Sequence, residues 1–311
     1  MLSRVADSLY WMSRYFERAD NAARVLEASY SLILNPAKFS TDERWYRAVT
    51  SLAPGAASDG VDAQSALFHL VAEPRSASSI VNCISAAREN ARQVREEISS
   101  EMWEHLNRLF HEVSRSNIEM DDDAAAMRLV QTVREGSYRF HGITDTTMNH
   151  GEGWHFIQLG KYIERACDLC LLLDAYFSCE SPADDLDWVG LLTSCAAFEA
   201  YCKACTADLK PERIAEFILL QPDFPYSVRY SLDRMHQALT LVTDLSFSRK
   251  TGKIDRLIGR LRSAVAYVQI GEVMRGDLHK YLTDIMDQCR ELHAAVHEVY
   301  IEYPIEVAFE G

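Results

Sequence analysis

No stretch of this chain approaches the roughly 20 consecutive apolar residues that a membrane-spanning helix requires, so an integral membrane protein is not expected. The opening Met1-Leu2-Ser3-Arg4-Val5-Ala6-Asp7 also lacks the apolar run of a secretory signal, and the expectation is a soluble, cytoplasmic protein. Glycine and proline are scarce, at 13 and 8 of 311 residues. The segment Ser78 to Val113 contains neither, which removes the usual breakers of a long helix. Convincing runs of strand-type alternation are missing as well. Basic residues are outnumbered: 32 Lys and Arg against 46 Asp and Glu leave a formal net charge of -14. That balance argues against a general nucleic-acid or anionic-membrane partner. No phosphate loop or dinucleotide fingerprint occurs, so no nucleotide cofactor is expected here.

What is present is a helical pattern. With 48% hydrophobic residues, the chain can bury a large core. Leu9, Met12, Phe16, Ala19, Ala23 and Leu26 recur every three or four positions and predict a helix over Leu2–Leu34. Ile80, Ile84, Ala87, Ala91, Val94 and Ile98 do the same for Ser78–Val113. Similar patterns predict helices over Trp154–Phe177, Leu186–Leu209, Tyr226–Leu245 and Asp277–Tyr300. The clearest break is Ala53–Gly60, with others at Asn117–Asp123, Ser178–Asp187 and Ser246–Lys253.

Tyr15-Phe16-Glu17-Arg18-Ala19 returns as Tyr162-Ile163-Glu164-Arg165-Ala166, 147 positions later. Leu26/Leu173 and Ala28/Ala175 keep the same offset, as do Arg14/Lys161 and Asn21/Asp168 in kind. The runs His69–Pro74 and Phe217–Pro222 extend the correspondence at an offset of 148. This period is far longer than that of solenoid repeats. The expected fold is an all-α, pseudo-twofold bundle built from two duplicated halves, 1–147 and 148–311, packed as one globular unit.

The order of these motifs resembles the bacterial alpha-E domain family, an all-helical domain with a Glu-Arg motif. The resemblance lies in Met1 to Ala19, in Ala87-Arg88-Glu89-Asn90-Ala91-Arg92, and in Gly153 to Ala166, and it covers essentially the whole chain. It implies association with circularly permuted ATP-grasp proteins, which resemble amide-bond-forming ligases, often accompanied by transglutaminase-like proteins.

Three groups of residues carry candidate chemistry. Arg14, Glu17, Arg18 and Asn21 share one helical stripe, repeated by Lys161, Glu164, Arg165 and Asp168. Each Glu-Arg pair either bridges its helix to another or borders a polar cavity for a carboxylate, amine or phosphate. Arg88, Arg92 and Arg95 form a basic stripe beside Glu89 and Asn90 that the second copy lacks, where His236, Thr240 and Thr243 stand instead. Such a stripe suits capture of an anion, or is a solvated face paired with nearby acids. Arg4, Arg14, Glu17, Arg88, Glu89, Asn90 and Arg92 form the leading site hypothesis. The third group is the segment His141 to Trp154, expected as a loop before the second Glu-Arg helix; its glycines, hydroxyls and histidines could offer N–H groups to an anion.

The eight cysteines (Cys83, Cys167, Cys170, Cys179, Cys195, Cys202, Cys205, Cys289) are expected to be reduced. Cys167-x-x-Cys170 and Cys202-x-x-Cys205 resemble zinc pairs but lie inside predicted helices, where small-residue packing is the simpler role. Glu-x-x-His, which carboxylate-bridged metal bundles use twice, was found once, at Glu152-x-x-His155. No metal is therefore expected. Two functions follow. One is a non-catalytic partner or substrate-presenting component of an ATP-grasp amide-ligase system. The other is an enzyme of the same pathway that modifies or transfers a peptide or amino-acid product, with Glu17 or Glu89 as base.

Overall fold

The computed structural model describes residues 1–33, 41–53, 63–116, 118–119, 122–178, 183–206, 208–245 and 252–301. Most of the expected Ala53–Gly60 break, Cys179, and parts of the other three breaks lie outside the described residues. The first half supplies α1 (Ser3–Ile33), α2 (Thr41–Leu52), α3 (Ala63–Val71), α4 (Ile80–Gln93), α5 (Ser100–Arg115) and α6 (Asp123–Thr147). After it come α7 (Glu152–Phe177), α8 (Asp185–Ser194), α9 (Phe198–Cys205), α10 (Pro211–Leu220), α11 (Val228–Leu245), α12 (Gly252–Ala266), α13 (Ile270–Arg275) and α14 (Leu278–Val296). A π-helical turn, His297–Ile301, follows α14. The protein is all-α, with no strand among the described residues.

Helices α1 and α7 form the centre. Every member of the predicted α1 stripe is buried, and Ser13, Glu17, Asp20, Asn21 and Arg24 are buried on its other faces. A helix covered on most sides is a core helix, and long helices of this kind draw their stability from packing more than from propensity. The two helices run in the same direction, because contacts along them keep a sequence separation of 144 to 150 residues. They also touch closely. A Cβ at Gly160 would collide with the Tyr10 carbonyl oxygen, and the hydroxyl of Ser13 donates to the Ile157 carbonyl at 2.6 Å. Glycine is required at 160 because only it permits this backbone approach.

The flanking helices are arranged crosswise. α4 packs on α1 and α11 on α7, while α2 lies against α7 and α8 against α1. Arg44 and Arg47 on α2 reach Asp187 on α8 at 3.3 and 2.8 Å, all three buried.

Two expected helices are interrupted. Ser78–Val113 is two helices, because Arg95, Glu96 and Glu97 turn to solvent while Val94 and Ile98 stay buried. The Ser99 hydroxyl then accepts the Met102 N–H at 3.1 Å and caps α5, as serine does at an N-terminus. Leu186–Leu209 breaks at Ala196, whose φ of 50° is left-handed. A third correction concerns the expected loop: His141 to Thr147 complete α6, and Thr144, Thr146 and Thr147 donate their hydroxyls to carbonyls four residues back.

Candidate functional site

The α1 and α7 stripes meet face to face, and each glutamate takes the arginine of the other motif. Both oxygens of Glu17 accept from Arg165, at 2.6 and 3.0 Å. Glu164 accepts from Arg18 at 2.6 Å and from Arg14 at 2.7 Å. Glu17, Glu164 and Arg165 are 1%, 4% and 3% exposed, so these charges are held by one another and not by water. Burial alone would raise the Glu17 carboxyl; the Arg165 charge and its hydrogen bonds win and hold it at about 2. Glu164 is likewise lowered against its burial, by Arg14 and Arg18.

The surrounding layer was not apparent from the stripes. Arg24 pairs with Asp20 and donates to the Ser194 carbonyl at 3.1 Å. The Tyr226 ring lies 4.1 Å from the Arg24 guanidinium and 4.0 Å from that of Arg165. Asp168 occupies the position that Asn21 holds in α1. Burial and the nearby Glu164 charge push its carboxyl well up from the ordinary carboxylate range, against the pull of Arg18.

Other candidates sit elsewhere. Arg4 is exposed on the first turn of α1. Arg88 is turned toward α5, donating to Asn107 at 3.1 Å and lying over Trp103 and Phe110. Glu89 pairs at the surface with Arg92 at 2.6 Å, and Asn90 donates to the Ala86 carbonyl of its own helix. The arginine stripe therefore faces α5 and solvent, and the seven residues of the leading hypothesis do not share one cavity.

Glu17, Asp20 and His141 bring three possible metal-ligand atoms within 4.8 Å of one another. The donor set does not suit a cation. Arg165 occupies both Glu17 oxygens, Arg24 holds Asp20, and Lys161 stands beside His141, so a metal would enter a place already supplied with positive charge.

A cavity of about 750 Å³ opens between α1, α6, α7 and α11. Its inner wall carries Lys161, whose Nζ lies 3.4 Å from His141 Nδ1. His141 Nε2 stands 3.7 Å from Glu17 Oε2. Aromatic groups form the sides: His150 stacked on Trp154 at 4.2 Å, Phe16 against Phe140 at 4.2 Å, and Tyr162 against Tyr230 at 5.9 Å. Burial, with the repulsion of Arg165, brings the Lys161 amine down to about 8, although Glu17 and Asp20 pull the other way. Burial and then the Lys161 charge keep His141 well below its ordinary range, hence neutral.

Beside the cavity the two motif helices differ at matched places. Arg14 reaches Glu164 and is covered by the Trp11 ring at 4.7 Å. Counting 147 on, Lys161 replaces Arg14 and Gln158 replaces Trp11, and both line open space. Lys161 has no carboxylate within 4.0 Å among the described residues, because His141 stands between it and Glu17. The exchange from Arg14 to Lys161 was visible in sequence. That α6 and α11 would leave a space beside it was not.

The chain belongs to the Alpha-E family, whose model, described as a predicted alpha-helical domain with a conserved ER motif, matches residues 1–301. Both Glu-Arg dipeptides lie inside the match. Uncharacterized proteins of Mycobacterium bovis and of two Mycobacterium tuberculosis strains are 26% identical over 322 residues, covering 95% of this chain and 36% of each relative. The chain thus spans about a third of the length of these curated relatives. No solved structure matches it significantly.

Proposed function

We propose that this Alpha-E domain is a non-catalytic, helical component of an amide-ligation system. In this reading it docks a circularly permuted ATP-grasp ligase-like protein or presents its peptide or amino-acid substrate, and a transglutaminase-like protein is a further candidate partner. The observation that carries the reading is the exchange between the motifs. A carboxylate held at about 2 by a buried guanidinium is a poor proton acceptor near neutral pH, which disfavours Glu17 as a base. Glu89, the other candidate base, is tied to Arg92 at the surface. The Glu-Arg motif is then architecture, and function falls to the surfaces it positions.

The length of the mycobacterial relatives supports this reading, since two thirds of each lies outside the matched region, where a joined partner would be. Arg92 and Arg95 are exposed, Arg95 over the Trp103 ring, on an otherwise acidic chain, a combination suited to an acidic partner surface. The decisive measurement is calorimetric titration with a purified circularly permuted ATP-grasp protein. Wild type is expected to bind, and Arg92→Ala/Arg95→Ala, a change confined to exposed side chains, to weaken binding about tenfold or more. No binding by wild type overturns the partner reading. The second reading, an enzyme of the same pathway, gains from the cavity at Lys161 and His141. It predicts that the isolated chain transforms a ligation product, and that Lys161→Met abolishes this without lowering stability.

A further inference from the structure

We propose that the cavity beside α7 is a binding site for a small organic monocarboxylate, its anionic end held by Lys161 and its body enclosed by the aromatic walls. The inference concerns this chain alone and goes beyond any partnership with a ligase.

The first support is an unanswered charge. Buried ammonium groups in folded proteins are ordinarily paired, because removing a charge from water without a counterion is costly. Lys161, partly buried on the cavity wall, meets that expectation poorly. Among the described residues no carboxylate lies within 4.0 Å of it, its near neighbour is the neutral His141, and Arg165 and Arg24 repel it. Its amine is depressed first by burial and then by the Arg165 charge. An anion entering from the cavity would supply the missing partner and raise it again.

A second support is independent of that charge. His155 lines the same cavity, is 6% exposed, and has a buried Nδ1 with no hydrogen-bond partner. In the Nδ1–H tautomer it is a donor in want of an acceptor, and buried polar atoms are seldom left so. Gln158 adds a neutral amide to the lining.

Size and shape set the body of the ligand. A volume of about 750 Å³ falls within the range of small-molecule sites, which combine apolar walls with a few polar groups. Here the walls are the His150–Trp154 stack and the Phe16–Phe140 and Tyr162–Tyr230 pairs. They accept a planar or aliphatic group. Arg234 at the exposed rim adds longer-range attraction, while the one acid of the lining, Asp145, is turned to His150 at 3.9 Å.

The charge count favours a monoanion. One ammonium with neutral imidazole and amide donors balances a single negative charge; a phosphate dianion ordinarily recruits several cations, arginines foremost. The matching place beside α1 offers no such site: Arg14 is already spent on Glu164, and Trp11 covers it.

Calorimetry on the purified full chain with benzoate, benzamide and phenyl phosphate tests the assignment. Benzoate is expected to bind at least about tenfold more tightly than its neutral isostere benzamide, and about tenfold more tightly than phenyl phosphate. Lys161→Met should weaken benzoate about tenfold while leaving benzamide unchanged. Equal binding of benzoate and benzamide by wild type overturns the proposal, whether or not the variant folds. So does tighter binding of phenyl phosphate, or no benzoate binding at millimolar concentration.

Discussion

Glu17 and Arg165 are both almost sealed from water, so neither charge has solvent to return to when its partner is lost. Removing one member of such a buried pair typically costs about 3–5 kcal/mol, whereas replacing both by apolar groups can be nearly neutral. Glu17→Gln is therefore expected to lower the unfolding free energy by about 3–5 kcal/mol in urea titration, and Glu17→Gln/Arg165→Met to recover much of that loss. An undisturbed Glu17→Gln protein would return the pair to a functional role. The pH dependence has a fixed sign. The folded carboxyl sits at about 2, below its ordinary 4.5, so the native state binds fewer protons than the unfolded chain between those values. The stability that Glu17 contributes is full above pH 4.5 and is lost as pH falls toward 2. The difference between wild type and Glu17→Gln should shrink across that window. Residue spacing revealed which side chains share a stripe. It could not reveal that the arginines exchange across the interface, because spacing describes a face and not what lies opposite it.

At the scale of elements, α1 and α7 are set by Gly160. A Cβ there meets the Tyr10 carbonyl, a backbone atom that cannot swing aside as a long side chain would. Gly160→Ala must push the two helices apart, and overpacking of this kind costs about 1–3 kcal/mol despite the better helix propensity of alanine. The prediction is a lowered Tm for Gly160→Ala, against a slightly raised one for Gly142→Ala, which also lies inside a helix but where a Cβ meets nothing within 4 Å. A gain in stability at 160 would show that the helices have room to spare. The long helices were legible because their apolar residues recur every three or four positions, in α7 even across Gly160. The interruption at Val94–Ser99 was not, since the apolar spacing continues through it. Only the run Arg95-Glu96-Glu97 followed by Ser99 hints at the turn. The end of α6 was misread for a related reason: Gly142 and three threonines look like a loop, yet those threonines satisfy their hydroxyls on the helix itself.

For the molecule as a whole, the crosswise packing decides whether the halves can stand alone. The repeat in the sequence marks two halves expected to pack as one unit; α2 lies against α7 and α8 against α1, so each half covers the other's central helix. Separation would expose both apolar stripes. It would also strand Glu17, Arg165 and Glu164 without their partners, and Arg44 and Arg47 without Asp187. Each stranded group adds a desolvation penalty of several kcal/mol, comparable with the whole stability of an ordinary domain. Fragments 1–147 and 148–311 are accordingly expected to keep some helical circular dichroism but to melt without a cooperative transition. An equimolar mixture should restore the sharp transition, because the exchanged pairs and the covered stripes are then available again. Cooperative melting of either fragment alone would mean that the crosswise helices can fold back onto their own half. The junction between α1 and α7 would then be an interface between domains and not the centre of one.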